Sequence, residues 1–202
     1  MQLHDNATAP NPRRVRIFLA EKGIRVPTVQ VDIAKAENRS DAFRAKNPLG
    51  QVPVLELDDG TCIAESVAIC RYFEELQPEP PLFGVGAQER ALVEMWNRRM
   101  ELELTQQVFL VFQNTHAFFQ GRMPQVPEFG AVSKQRAERT LALLDGVLAE
   151  RRFIAGERYS IADITAFVGV DFGRVVKIRP APEHANVARW LAEMSARPSA
   201  KA

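Results

Sequence analysis

Two short blocks hold the residues best suited to chemistry. In Asn47-Pro48-Leu49-Gly50-Gln51-Val52-Pro53-Val54-Leu55 a proline stands where a strand should start, and twelve residues beyond it Glu65 and Ser66 open a helix-forming run. A proline there cannot donate to a ladder, so Val52 keeps an edge free for another chain. A cis Val52–Pro53 bond would turn the N–H and C=O of Val52 outward as a short antiparallel docking strand. The unpaired N–H groups and positive dipole end of a helix favour a carboxylate; Ser66 adds a hydroxyl donor, and Glu65 can hold an ammonium. Together these types fit a ligand with a peptide backbone and an α-amino acid end, and Gln51, adjoining Val52, adds a further polar group.

The elements that must position them follow from local pattern. Met1 to Asp5 is a short strand; Asn11 is a good N-cap and Pro12 a good first helical residue, so a helix is expected from about Pro12 to Lys22, ending at Gly23. Its apolar face is Val15, Ile17, Phe18 and Leu19, with Arg13, Arg14, Arg16, Glu21 and Lys22 largely outside. Thr28 to Val31 reads as a second strand, parallel to the first across a βαβ crossover, and Ser40 to Lys46 as a helix. Val52 to Leu57 and Cys62 to Ala64 form a hairpin about the Asp58-Asp59-Gly60 turn, and a helix runs from Glu65 to Leu76.

The segment NPLGQVPVLELDDGTCIAESVAICRYF resembles the glutathione-binding segment of the glutathione transferase superfamily. The resemblance implies an α/β plus all-α architecture: an N-terminal thioredoxin-like domain, residues 1–76, a linker at 77–86, and a C-terminal helical bundle domain at 87–202. It also implies a homodimer and glutathione as cosubstrate. Val52 would pair with the cysteinyl backbone of glutathione across a cis Pro53, and Glu65 and Ser66 would hold its γ-glutamyl end. In that family the loop after the first strand carries the group that hydrogen-bonds the glutathione sulfur, and many bacterial members have a serine ahead of the Pro-Asn pair. This chain has Ala9-Pro10-Asn11, so the expected donors are Asn11 and then Thr8, helped by the backbone N–H groups that begin the helix.

Beyond the proline-dense stretch Gln77 to Gly84 everything reads helical. Ala87 to Gln120 is one bent helix or two, and Phe109, Phe112, His116 and Phe119 recur along it at spacings of three and four, making a one-sided aromatic stripe expected to face the thiol. Phe109, Phe112 and His116 are the expected second-substrate pocket; the competing reading is core. Ser133 to Glu150 is an amphipathic helix with Leu141, Leu143, Leu144, Val147 and Leu148 inward. Ser160 and Asp163 form a capping box ahead of an almost wholly apolar helix, Ile161 to Val176, matching the family's SxAD signature. Val187 to Arg197 is a terminal helix.

Composition sets the outer limits. A formal net charge of +1 gives no reason to expect nucleic acid, no run of about eighteen apolar residues suggests a membrane span, and no signal peptide is evident, so a cytoplasmic protein is expected. Two cysteines, Cys62 and Cys70, are too few for a disulfide framework or structural zinc, and no metal is expected. The function expected is a detoxifying transferase that activates the thiol of glutathione for attack on a hydrophobic electrophile. The alternatives are a non-catalytic glutathione-binding or regulatory member, and a glutathione-dependent peroxidase or disulfide reductase.

Overall fold

The computed structural model describes all residues, Met1–Ala202. The chain divides into two compact units, Met1–Leu82 with Pro198–Ala202, and Phe83–Arg197. The first is α/β and the second helical, the architecture the sequence implies.

In the first unit β1 (Gln2–Asp5), β2 (Thr28–Gln30), β3 (Val54–Glu56) and β4 (Cys62–Ala64) form one sheet in the order β2-β1-β3-β4. β1 runs parallel to β2 and antiparallel to β3, and β3 and β4 close the hairpin. Between β1 and β2 runs α1 (Pro10–Lys22), and between β2 and β3 the four-residue α2 (Asp41–Arg44); α3 (Ser66–Leu76) follows β4. Leu3, Val15, Ile17, Phe18, Leu55, Ile69 and Phe73 supply the core between sheet and helices. Removing them from water is the main favourable contribution to folding.

Two expectations for α1 are corrected. The helix begins at Pro10 with Ala9 as its N-cap, so Asn11 lies inside the first turn instead of capping it. Both Pro10 and Pro12 fit there, because the first-turn N–H groups have no helical acceptor and a proline loses nothing by lacking one. Arg14 and Lys22, expected outside, are buried. They stand four residues either side of Phe18, on the stripe that faces the core.

The second unit holds α4 (Gly86–Arg99), a π-helical turn at Met100–Thr105, α5 (Gln106–Thr115), α6 (Pro127–Ala149), α7 (Ile161–Gly173) and α8 (Ala185–Ala196). Eleven of the thirteen residues of α7 are buried, as befits a central helix. A Cβ built on Gly169 would lie 2.4 Å from Thr105 Oγ1, so glycine is what lets α7 meet the π turn. Both arms of the Ser160–Asp163 capping box are present. Asp163 Oδ2 accepts from Ser160 N–H (3.0 Å), and Oδ1 from Ile154 N–H and Trp190 Nε1–H at 3.0 Å each. Burial pushes this carboxyl up to about 6, against the pull of those donors. Of the leucines expected inward on α6, Leu141, Leu144 and Leu148 are buried, whereas Leu143 is 57% exposed. The helix also starts at Pro127, earlier than the apolar period suggests, because a proline is favoured at N1.

No helix is long and apolar enough to cross a membrane, and no group of three or more His, Cys, Asp or Glu side chains is placed to hold a metal ion.

Candidate functional site

The turn before β3 is built by asparagine side chains. Asn47 Nδ2 donates to Gln51 O (2.9 Å), Asn47 Oδ1 accepts from Leu49 N–H (3.2 Å), and Asn38 Nδ2 donates to Gly50 O (2.7 Å). Gly50 has φ +62, and a Cβ there would sit 2.7 Å from Asn38 O, so only glycine passes. This turn delivers Val52 with its side chain in a small cluster of Val31, Phe43 and Val54, against which Ala9 packs. The Val52–Pro53 bond is cis. The β1–β3 register begins at Val54, so Val52 and Pro53 lie just before the strand instead of opening it, and the backbone groups of Val52 are outside the ladder. Gln51 is exposed beside them.

Glu65 is exposed and holds φ +67, ψ 116 as the N-cap of α3. A non-glycine residue in that region stores backbone strain, a property that concentrates at functional sites. Ser66 follows as the first residue of α3 and is 5% exposed. The N–H groups of Ser66, Val67 and Ala68 precede the first helical bond, from Ile69 N–H to Glu65 O at 3.0 Å. Three donors at a positive helix end, beside a hydroxyl and an exposed carboxylate, suit a carboxylate and an ammonium on one carbon. From inside, Arg14 Nη1 donates to Ser66 Oγ at 2.5 Å and to Asn11 Oδ1 at 3.2 Å. Cys70, on the same helix, is held protonated by burial, with the charge of Arg14 pulling its thiol down and that of Glu74 pushing it up.

The loop between β1 and α1 is pinned by Arg16, whose guanidinium donates to Asp5 Oδ1 (2.6 Å) and to Ala7 O (3.0 Å). Thr8 is exposed there, and its hydroxyl and N–H both donate to Asn6 Oδ1, at 2.9 and 3.1 Å. Ala9 contributes no side-chain donor. Prolines remove two N–H groups from the first turn of α1 and Arg13 N–H is bonded to Ala9 O, which leaves the N–H of Asn11 as that turn's one backbone donor.

Residues 8–76 match the family model described as glutathione S-transferase, N-terminal domain, and residues 130–198 that for the C-terminal domain. Glutathione S-transferase 2 of Saccharomyces cerevisiae is 39% identical over 208 residues, covering 100% of this chain and 88% of its own. The crystal structure of Gtt2 from the same yeast superposes with a TM-score of 0.95 at 38% identity, covering 100% of this chain and 99% of that one. A glutathione S-transferase domain-containing protein from Marinobacter aquaeolei VT8 gives 0.94 at 42% identity, covering 98% and 99%. The chain belongs to the glutathione transferase superfamily. It is an enzyme of that family.

In the helical unit of this glutathione transferase, Phe112 is the hub of an aromatic cluster. Its ring centroid lies 4.6 Å from His116, 5.0 Å from Phe172, 5.2 Å from Phe119 and 6.1 Å from Phe118; Phe109 meets Phe172 at 5.5 Å. Phe109, Phe112 and His116 are thus brought together, but not as one helical stripe. α5 ends at Thr115, and His116 is an extended residue whose Nδ1 accepts from Phe118 N–H at 3.1 Å. Gln125 Nε2 donates to Gln113 O and His116 O, so the helix end has partners that a longer helix would lack. Phe172 and Phe118 escaped the sequence reading, since Phe172 lies on α7 and Phe118 falls off the assumed period.

Proposed function

We propose that this protein binds glutathione through Gln51, Val52, Pro53, Glu65 and Ser66 and directs its thiolate at a hydrophobic electrophile. The observation that carries the reading is the first turn of α3. Three helix N–H groups and the Ser66 hydroxyl sit beside the exposed Glu65 carboxylate, a donor set for the carboxylate and an acceptor for the ammonium of the γ-glutamyl end. Val52, outside the ladder, supplies backbone groups for the cysteinyl residue. The thiolate forms a C–S bond to the electrophilic carbon, the leaving group departs with its electron pair, and the thiol proton passes to solvent.

Lowering a thiol from about 8.5 by two units takes roughly 2.7 kcal/mol. Asn11, through its side-chain amide and its backbone N–H, and Thr8 are the proposed donors. Phe109, Phe112 and His116 are the proposed seat of the apolar substrate. Residues 1–76 are the proposed glutathione-binding domain, 77–86 the linker and 87–202 the second-substrate domain. Membership of the family supports a cytoplasmic homodimer serving detoxification.

Calorimetry with glutathione tests the binding site directly. Ser66→Ala is expected to weaken binding by about 1–2 kcal/mol, the order of one hydrogen bond lost. Unchanged affinity would remove the site.

A further inference from the structure

Six of the twelve phenylalanines are enclosed in the cores of the two units. Five others, Phe109, Phe112, Phe118, Phe119 and Phe172, pack on one another and yet stay half-buried. Rings that touch without being closed over leave faces and edges for an aromatic ring arriving from outside.

The polar groups on this cluster are of one kind. Arg122 lies over the face of Phe118, its guanidinium carbon 4.2 Å from the ring centroid, and Phe118 in turn stacks on Phe112 with an interplanar angle of 16°. Arg122 is exposed and enters no ion pair, and a contact with a ring face uses its charge but none of its N–H donors. Its place is fixed by the loop that carries it. Arg122 N–H donates to Phe119 O (2.9 Å), Gln125 Nε2 to Gln113 O (2.8 Å) and His116 O (3.0 Å), and Val126 N–H to Asn114 Oδ1 (2.9 Å). His116 adds a second donor: its Nδ1 accepts from Phe118 N–H, so the neutral ring carries its proton on Nε2. The acid next to Phe172 in the chain, Asp171, is bridged to Arg174 Nη2 at 2.6 Å. The cluster thus offers aromatic surface, a cation and a ring N–H, and lacks an acceptor for them.

We propose that Arg122 makes the second-substrate seat selective for aromatic electrophiles that carry a carboxylate, the ring packing on Phe112 and Phe118 and the carboxylate pairing with the guanidinium. This rests on the second-substrate reading above and names the substrate class of that site. A carboxylate beside Arg122 gains a charge-assisted bond that a neutral substituent cannot make, and because the arginine is exposed the gain shrinks as salt is added.

The test compares two electrophiles with the same ring, 4-chloro-3,5-dinitrobenzoate and its methyl ester, in initial-rate assays with glutathione. In both, the thiolate sulfur bonds to the chlorine-bearing carbon and chloride leaves with the electron pair; only the charge across the ring differs. The ratio of variant to wild-type kcat/KM cancels their unequal intrinsic reactivity. Arg122→Gln is expected to lower kcat/KM about tenfold for the benzoate and less than about twofold for the ester. Arg122→Lys keeps the charge and should hold the benzoate within about threefold of wild type. A merely structural Arg122 would cost both electrophiles the same factor, and equal losses, or a lysine variant as poor as the glutamine one on the benzoate, overturn the proposal. Turnover of the ester but not of the benzoate by the unaltered protein also overturns this proposal alone. An unaltered protein that binds glutathione and turns over neither electrophile overturns the second-substrate reading and this proposal with it.

Discussion

Lys22 Nζ lies 2.5 Å from Glu74 Oε2, with the lysine side chain fully enclosed and the glutamate 9% exposed. The same ammonium donates to the carbonyl oxygens of Gln77 (2.7 Å), Pro78 (3.1 Å) and Pro80 (2.6 Å). One buried cation thus joins the end of α1 to α3 and holds the proline-rich segment that follows α3. Gln77 Nε2 returns a bond to Lys22 O at 2.7 Å.

Lys22→Met keeps most of the apolar stem and removes the charge. Breaking a buried ion pair by deleting one partner costs about 3–5 kcal/mol, and the three carbonyls lose their donor at the same time. Equilibrium urea unfolding should therefore show a loss of at least about 3 kcal/mol. A loss below about 1 kcal/mol, the range of an exposed pair, would mean that the cluster does not hold the segment.

Asp163 is the corresponding polar centre of the helical unit. It accepts from Ile154 N–H, Ser160 N–H, Ser160 Oγ–H and Trp190 Nε1–H, all buried. Asp163→Ala strands these donors, each costing about 1–3 kcal/mol, so the loss should exceed about 3 kcal/mol. Ser160→Ala removes one arm of the box and should cost about 1 kcal/mol. If the two variants prove equally stable by thermal unfolding, the carboxylate is not the hub. Its ionisation works against the fold: with the carboxyl raised from 3.8 to about 6, this group's stabilising contribution is complete below 3.8 and is lost as pH rises through about 6.

Much of this was legible where the chemistry is local. The Asn47–Pro53 turn, the Glu65–Ser66 helix mouth and the Ser160–Asp163 box each close over a few residues, so residue types and spacing are enough to read them. Arg14 and Lys22 depart from the outward placement that their charge suggests because period outweighs charge here: residues 14, 18 and 22 share one face of α1. Their partners Ser66 and Glu74 are 52 residues away in each case, and no local pattern encodes a pairing at that range. The single helical stripe through His116 breaks for the opposite reason: the three-four spacing continues in the sequence past Thr115, where donors from Gln125 end the helix.

Glu56 on β3 contributes to the acid side of the pH profile. Bonds from Lys46 first, then His4 and Gln2, hold its carboxyl down, from 4.5 to about 2. A folded value below the unfolded one means that the native state binds this proton more weakly. Its stabilising contribution is complete above about 4.5 and is lost as pH falls through about 2. Melting temperatures recorded between those values should fall less steeply for Glu56→Gln than for the unaltered protein. Parallel curves would show that the carboxylate is not protonated selectively on unfolding.

The start of α1 limits which groups can serve as the proposed thiol donor. Pro10 and Pro12 have no N–H, Arg13 N–H is bonded to Ala9 O, and so the backbone offers the N–H of Asn11 alone. One neutral donor at a helix end supplies less than the roughly 2.7 kcal/mol of a two-unit depression, so the proposed mechanism calls on a side chain as well. Asn11 Oδ1 already faces Arg14, which orients the amide, whereas the Thr8 proton is committed to Asn6 Oδ1. Asn11→Ala, which retains the backbone N–H, is accordingly expected to raise the bound glutathione thiol by about one unit in a thiolate-absorbance titration, with a smaller rise for Thr8→Val. An unmoved titration in Asn11→Ala, with a full-unit rise in Thr8→Val, would reverse the assignment and require the Thr8 hydroxyl to leave Asn6 when the thiolate forms.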